Sequence, residues 1–207
     1  MVAHAITGVE GTEIDRECVA MSGYADASLG DDPGCMASRM GTVVLVNGGF
    51  VSGKSKKLKR VQVSSTSGEM QALSMCAHEI VAVRNQLAEL GVQMGRPTIL
   101  RGDNQSSIMA ATNPGQHRSQ LRHLELHAWA VRDLVREGQV QLEWVSTEEN
   151  PSDLLTKAIA SPSKFAKFQA VALLGEQKAT ASATALVAKS AVRGAEARCF
   201  LVRPVGS

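Results

Sequence analysis

Thr42-Val43-Val44-Leu45-Val46-Asn47-Gly48-Gly49-Phe50 decides the fold. The first five residues are apolar or β-branched and suit a buried strand. Asn-Gly tolerates the positive φ that a tight hairpin turn requires, so the chain should double back at Gly49 into a third strand over Phe50 to about Ser52. Working upstream, Glu17 to Tyr24 suits a first strand ending at Asp26, and a Gly/Asp/Pro-rich loop from Gly30 to Gly34 follows it. Working downstream, a short extended piece at Val61-Gln62-Val63 precedes a change of period at Thr66. Met70, Leu73, Ala77, Ile80 and Leu87 repeat at helical spacing, and Gly91 supplies the stop.

The remainder alternates. Pro97 to Leu100 reads as a buried strand leading to Asp103, then a short helix from Asn104 to Ala111 is broken by Asn113-Pro114-Gly115. A longer helix spans about Gln120 to Glu137, with Gly138 as its C-terminal cap. Val140 to Val145 alternates as a strand, and Asn150-Pro151 opens a last helix as cap and first-turn proline. A hairpin-linked start followed by β–α alternation implies an α/β fold with a mixed five-stranded sheet and helices on both faces. We assign 18–174 to the domain, 1–17 to a polar leader and 175–207 to an Ala/Lys/Ser-rich tail without an evident packing face.

Composition narrows the classes. A net charge of +2 over 207 residues does not announce a nucleic-acid binder. Locally, Lys54, Lys56, Lys57, Lys59 and Arg60 crowd a seven-residue stretch. Such a run is either a solvated turn or an edge that grips phosphates and releases their counterions. Cys18, Cys35, Cys76 and Cys199 lack CxxC spacing, which argues against a zinc ribbon or redox pair. Residues 1–17 do not resemble a signal peptide, and no stretch approaches the roughly 20 apolar residues that cross a bilayer. We expect an intracellular protein, cytoplasmic or nuclear, without a membrane partner.

Asp26, Glu69, Asp103 and Asp153 each stand where a strand ends or a helix begins. Each also has an ordinary explanation. Glu69 can close a capping box from Thr66, Asp103 can cap the helix from Asn104, Asp153 suits a first helical turn, and Asp26 can be a turn aspartate. Yet the order of elements brings all four to one end of a common sheet, which independent capping does not require. Gathered carboxylates have one common use, holding divalent cations against a phosphate.

These positions lie in Gly23-Tyr24-Ala25-Asp26-Ala27, Ser64-Ser65-Thr66-Ser67-Gly68-Glu69-Met70-Gln71-Ala72-Leu73, Gly102-Asp103-Asn104-Gln105-Ser106-Ser107-Ile108 and Asn150-Pro151-Ser152-Asp153-Leu154-Leu155-Thr156-Lys157. In that order they resemble the ribonuclease H domain of copia-type retrotransposon polyproteins. Ser38-Arg39-Met40-Gly41, the Ser55-Lys56-Lys57 turn and Arg122-His123-Leu124-Glu125-Leu126 agree as well. The resemblance implies a ribonuclease H-like sheet and an acidic tetrad at Asp26, Glu69, Asp103 and Asp153, both catalytic and metal-binding. It implies cleavage of the RNA strand of RNA–DNA hybrids with two Mg²⁺ ions, Mn²⁺ substituting, and a reverse transcriptase of the same element type as partner. The chain departs from the family at Ser28, where a second acid is usual, at Leu29, where tryptophan is common, and at Ser67-Gly68, where another glutamate tends to stand. An inactive relic that binds hybrids without cutting them is the alternative those departures leave open.

On this reading Lys54, Lys56 and Lys57 contact backbone phosphates. Asn104 and Gln105 contact the minor groove or 2′-hydroxyls, with simple helix-start polarity as the equal alternative. Two patterns mislead. Gly48-Gly49-Phe50-Val51-Ser52-Gly53-Lys54-Ser55 satisfies the phosphate-loop pattern, but that pattern needs a helix beginning at Lys54-Ser55, and turn and strand are expected there. His123 and His127 sit at i and i+4 as a zinc pair would, but no third ligand is evident, and ordinary helix histidines are the better reading.

Overall fold

The structure is a computed structural model and describes residues 19–30, 34–58, 64–112 and 122–174. The expected leader 1–17, the tail 175–207, Lys59, Arg60, Val61-Gln62-Val63 and the Asn113-Pro114-Gly115 break lie outside those residues, as does the His123 side chain.

Five strands form one sheet in the order β3-β2-β1-β4-β5. They are β1 (Met21–Ser28), β2 (Arg39–Val46), β3 (Gly49–Lys57), β4 (Thr98–Gly102) and β5 (Val140–Trp144). The first three pair antiparallel, while β4 joins β1, and β5 joins β4, in parallel. Asn47 and Gly48 make the two-residue turn between Val46 and Gly49, with φ of 49° and 75°. Positive φ at both positions matches the right-handed twist of the flanking strands.

Strand alternation divides the core in two. Ala25, Val44, Leu100 and Val140 face α1 (Ser65–Glu89) and α3 (Arg122–Arg136), packing against Met70, Leu73, Ile80 and Val131. Tyr24, Val43 and Leu45 point the other way, where Leu155 and, from α4 (Pro162–Leu174), Val171 cover them. The short α2 (Gln105–Thr112) follows β4 on the α1 side, contacting α1 and α3. Among the described residues no helix is long and apolar enough to cross a membrane.

Three elements differ from the sequence reading. β1 continues through Asp26 to Ser28, because its ladder to β2 extends to the Ser28–Arg39 pair. β3 does not stop near Ser52; it runs to Lys57, opposite Arg39. The basic stretch up to Lys57 is therefore an exposed edge strand rather than a turn, and lysines there discourage pairing with another sheet. Lys54-Ser55 lies inside that strand, so no helix start exists there to cradle a nucleotide. Finally, Asn150-Pro151 opens a single 3₁₀ helix, Pro151–Leu155, and α4 begins only at Pro162.

Candidate active site

β1 and β4 run parallel with Ala25 opposite Gly102. The next residues, Asp26 within β1 and Asp103 just past the end of β4, therefore stand side by side at the same level. Glu69 arrives early in α1, which packs along β1 and β2. One carboxylate oxygen from each of Asp26, Glu69 and Asp103 lies within 4.8 Å of the others. Asp26 and Glu69 are buried and Asp103 half-buried.

The capping explanations do not hold for Glu69 and Asp103, because neighbours take those roles. Ser64 caps α1, its Oγ accepting from Ser67 N at 3.2 Å. Asn104 Oδ1 accepts from Ser107 N at 3.0 Å and so caps α2. Asp103 is positioned differently. Thr147 Oγ1 donates to its Oδ2 at 2.7 Å, and the Trp144 indole N–H donates to its carbonyl at 2.9 Å.

Burial disfavours the charged form of a carboxylate, and nearby carboxylates disfavour it further. Burial pushes Asp26 up to about 6, against the Thr156 hydroxyl and the Lys157 ammonium, which favour its charge. Glu69 is pushed up to about 9, by burial first and then by the charges of Asp26 and Asp103. The group is short of positive charge. Three oxygen donors without nitrogen or sulfur suit a hard divalent cation such as Mg²⁺ or Mn²⁺, and the residues present fit one.

Asp153 is fully buried nearby, but its oxygens are not among the three that converge. Lys157 Nζ lies 2.9 Å from its Oδ1 and Lys164 Nζ 3.1 Å from its Oδ2. Lys157 Nζ also stands 3.7 Å from Asp26 Oδ2. Burial pulls the Lys157 pKa down, but Asp153 and Asp26 together raise it above the usual lysine value.

The Pro151–Leu155 helix is fastened to the sheet at this point. Asn150, fully buried, donates from Nδ2 to Ala25 O at 3.0 Å, while its Oδ1 accepts from Ser152 N at 3.3 Å. Thr156 Oγ1 donates to Asp26 Oδ2. Across the ladder from Asp26 stands Gly41. A Cβ on Gly41 would lie 2.7 Å from Ser152 O and 2.8 Å from Thr156 Cγ2, so only hydrogen fits there.

The expected nucleic-acid contacts divide. Lys54 Nζ lies 2.5 Å from Glu79 Oε1, a buried carboxylate that also accepts from Thr42 Oγ1 at 2.5 Å. Lys56 and Lys57 are exposed on the β3 edge, and Gln105 is exposed at the start of α2. His127 Nδ1 lies 3.1 Å from Ser74 Oγ, in a groove of about 650 Å³ shared with His78, Lys54 and Lys56 but with none of the four acids. Sequence reasoning assigned no role to Thr147, Thr156, Lys157 or Gly41. The i, i+4 spacing of Asp153 and Lys157 was a usable signal for an ion pair. Gly41 stood in the Ser38-Arg39-Met40-Gly41 segment, but nothing local told what packs on it, since those atoms come from more than a hundred residues away.

No protein-family model matches the chain. It is similar to the Retrovirus-related Pol polyprotein from transposon RE2 of Arabidopsis thaliana, 30% identical over 142 residues, which are 69% of this chain and 10% of that protein. The chain thus spans about a tenth of that relative's length. Among solved structures, the N-terminal RNase H domain of Rv2228c from Mycobacterium tuberculosis superposes with a TM-score of 0.50 at 16% identity, over 67% of this chain and 91% of that one. LC11-RNase H1, solved in complex with an RNA/DNA hybrid, gives a TM-score of 0.50 at 14% identity, over 66% and 93%. At such identities the likeness is one of fold.

Proposed function

The chain is a ribonuclease H-like domain whose relatives are the Pol polyproteins of copia-type retrotransposons, and from that premise we propose that it is a metal-dependent endonuclease cutting the RNA strand of RNA–DNA hybrids. The observation that carries this reading is the convergence of the Asp26, Glu69 and Asp103 carboxylates, none of them used as a helix cap.

Asp26, Glu69 and Asp103 would hold one divalent ion, and Asp26 with Asp153 a second, Mg²⁺ by preference and Mn²⁺ as a substitute. When bound, such ions supply the charge that acidifies an attacking water and stabilises the departing 3′ oxygen. The protein's own part is positional. Glu69 would have to give up its proton for a cation to be held there, Thr147 holds Asp103 in one orientation, and Thr156 does the same for Asp26.

A hybrid exposes 2′-hydroxyls on one strand only, across a wide minor groove, so a protein can sense which strand is RNA. Gln105, exposed two residues after Asp103, would contact a 2′-hydroxyl. Lys56 and Lys57 would contact phosphates, making binding salt-sensitive and independent of sequence. The hybrid bound by the LC11 enzyme supports this substrate class. A reverse transcriptase of the same element type is the partner this reading takes.

The test is incubation with a labelled hybrid in Mg²⁺, repeated with Asp103→Asn. Cleavage confined to RNA, falling by at least about a hundredfold in the variant, supports the enzyme. Binding without cleavage supports instead an inactive hybrid-binding relic. That second reading is favoured by Ser28, which occupies the usual place of an acid and accepts from Arg39 N at 3.2 Å. Absence of binding overturns both.

A further inference from the structure

We propose that the Lys157 ammonium is a built-in counter-cation between Asp26 and Asp153, which limits the nucleic-acid-free protein to one tightly bound divalent ion, at Asp26, Glu69 and Asp103. The proposal rests on the metal-dependent reading above and deepens it by naming what sets the occupancy of the site.

Four observations lead here. Lys157 Nζ is within ion-pair distance of both carboxylates, 2.9 Å from Asp153 and 3.7 Å from Asp26. Asp153 is fully buried and has ammonium groups on both oxygens, so its charge is already compensated. Asp26, Glu69 and Asp103 converge without such compensation, Lys157 approaching only Asp26 among them within 4 Å. Finally, the Lys157 backbone is held beside the two carboxylates, so its ammonium rests between them unless something draws it outward. Thr156 beside it is bonded to Asp26, Asn150 ties the turn to Ala25, and Gly41 lets the turn lie directly on β2.

An ammonium and a divalent ion cannot share the space between the same two carboxylates, since each cation removes the other's attraction and adds repulsion. The first ion meets no such competitor at the converging oxygens. A second must displace Lys157, and the way out exists, because the Lys157 side chain is 36% exposed while that of Asp153 is 0% exposed. Asp153 then keeps Lys164 as its partner. A phosphate arriving with the nucleic acid can draw the displaced ammonium outward, which ties entry of the second ion to substrate. Lys157 is in this sense a positioning residue for the metal complement.

Titration of the full chain with Mn²⁺ alone, read by electron paramagnetic resonance and calorimetry, counts the ions directly. The wild type should bind one tightly. Lys157→Met and Lys157→Gln should bind a second, tighter than in the wild type by on the order of 10–100-fold. Lys157→Arg, which keeps the charge, should stay at one, as should Lys164→Gln, which leaves the Asp26–Asp153 bridge in place. Circular dichroism identifies a variant that fails to fold, and the two neutral variants back each other. Two ions of similar affinity in the wild type, or unchanged binding in both neutral variants, overturns the proposal while leaving the metal reading intact. A wild type that binds no Mn²⁺ overturns both. One-ion binding as described, in a protein that leaves hybrids uncut, keeps this inference and removes the catalytic reading.

Discussion

At Glu69 burial and charge act in the same direction. Both raise its pKa, to about 9, and nothing in the metal-free protein offsets them fully. Glu69→Gln removes that liability while keeping the shape of the side chain. In the absence of metal at pH 9.5, where the carboxylate is charged, the variant should melt no lower than the wild type and above it if repulsion dominates. Its Mg²⁺-induced rise in Tm should shrink to near zero. Differential scanning calorimetry with EDTA and with Mg²⁺ checks both, and a variant that gains as much from Mg²⁺ as the wild type would remove Glu69 from the metal site. The same residue marks a limit of reading by sequence. Its apparent capping box fails because the helix starts earlier, at Ser65, with Ser64 as the cap.

Among the elements, the Pro151–Leu155 helix has the least structure of its own and the largest influence on the site. Five residues in a 3₁₀ turn cannot hold a position by themselves. Its place comes from the Asn150–Ala25 bond, from Ser55 Oγ donating to Leu155 O at 2.6 Å, and from contact with Gly41. Gly41→Ala puts a methyl group 2.7 Å from Ser152 O and must push the turn outward. Overpacking of this kind costs about 1–3 kcal/mol, measurable by urea unfolding. Cleavage should fall further than stability, on the order of a hundredfold, because Thr156 and Asp153 move with the turn. Unaltered cleavage by the folded variant would show that the turn does not set the geometry of Asp26.

On the scale of the whole molecule, the acidic cluster gives stability a pH dependence opposite to that of salt-bridged carboxylates. Asp26 and Glu69 have folded pKa values of about 6 and about 9, above their ordinary values of 3.8 and 4.5. The folded state therefore holds protons that the unfolded state has released. Their contribution to stability is complete below about pH 4 and is lost as pH rises, through about 6 for Asp26 and about 9 for Glu69. In EDTA the Tm contribution from this cluster should fall between pH 5 and 9. Divalent metal takes the place of those protons, so the Mg²⁺-induced gain in Tm should grow over the same range. A gain that stays constant with pH would mean that metal binding releases no protons from this cluster.

What the sequence determined by itself was local or periodic. The Asn47-Gly48 turn, the long helix around Met70 to Leu87, the alternation that makes β5 a strand, and the order of elements all follow from backbone preferences and from apolar spacing, which act within a few residues. Together with four ordered motifs these sufficed for the fold and for the acids as candidates. Tertiary structure alone decided what each acid meets. That β3 runs on to Lys57, that Lys54 is held by Glu79, and that Lys164 meets the second oxygen of Asp153 depend on packing between residues remote in the chain or several turns apart. Beyond the next helical turn a charged side chain carries no local record of its partner, because Coulomb attraction and desolvation are set by the folded surroundings and not by sequence neighbours.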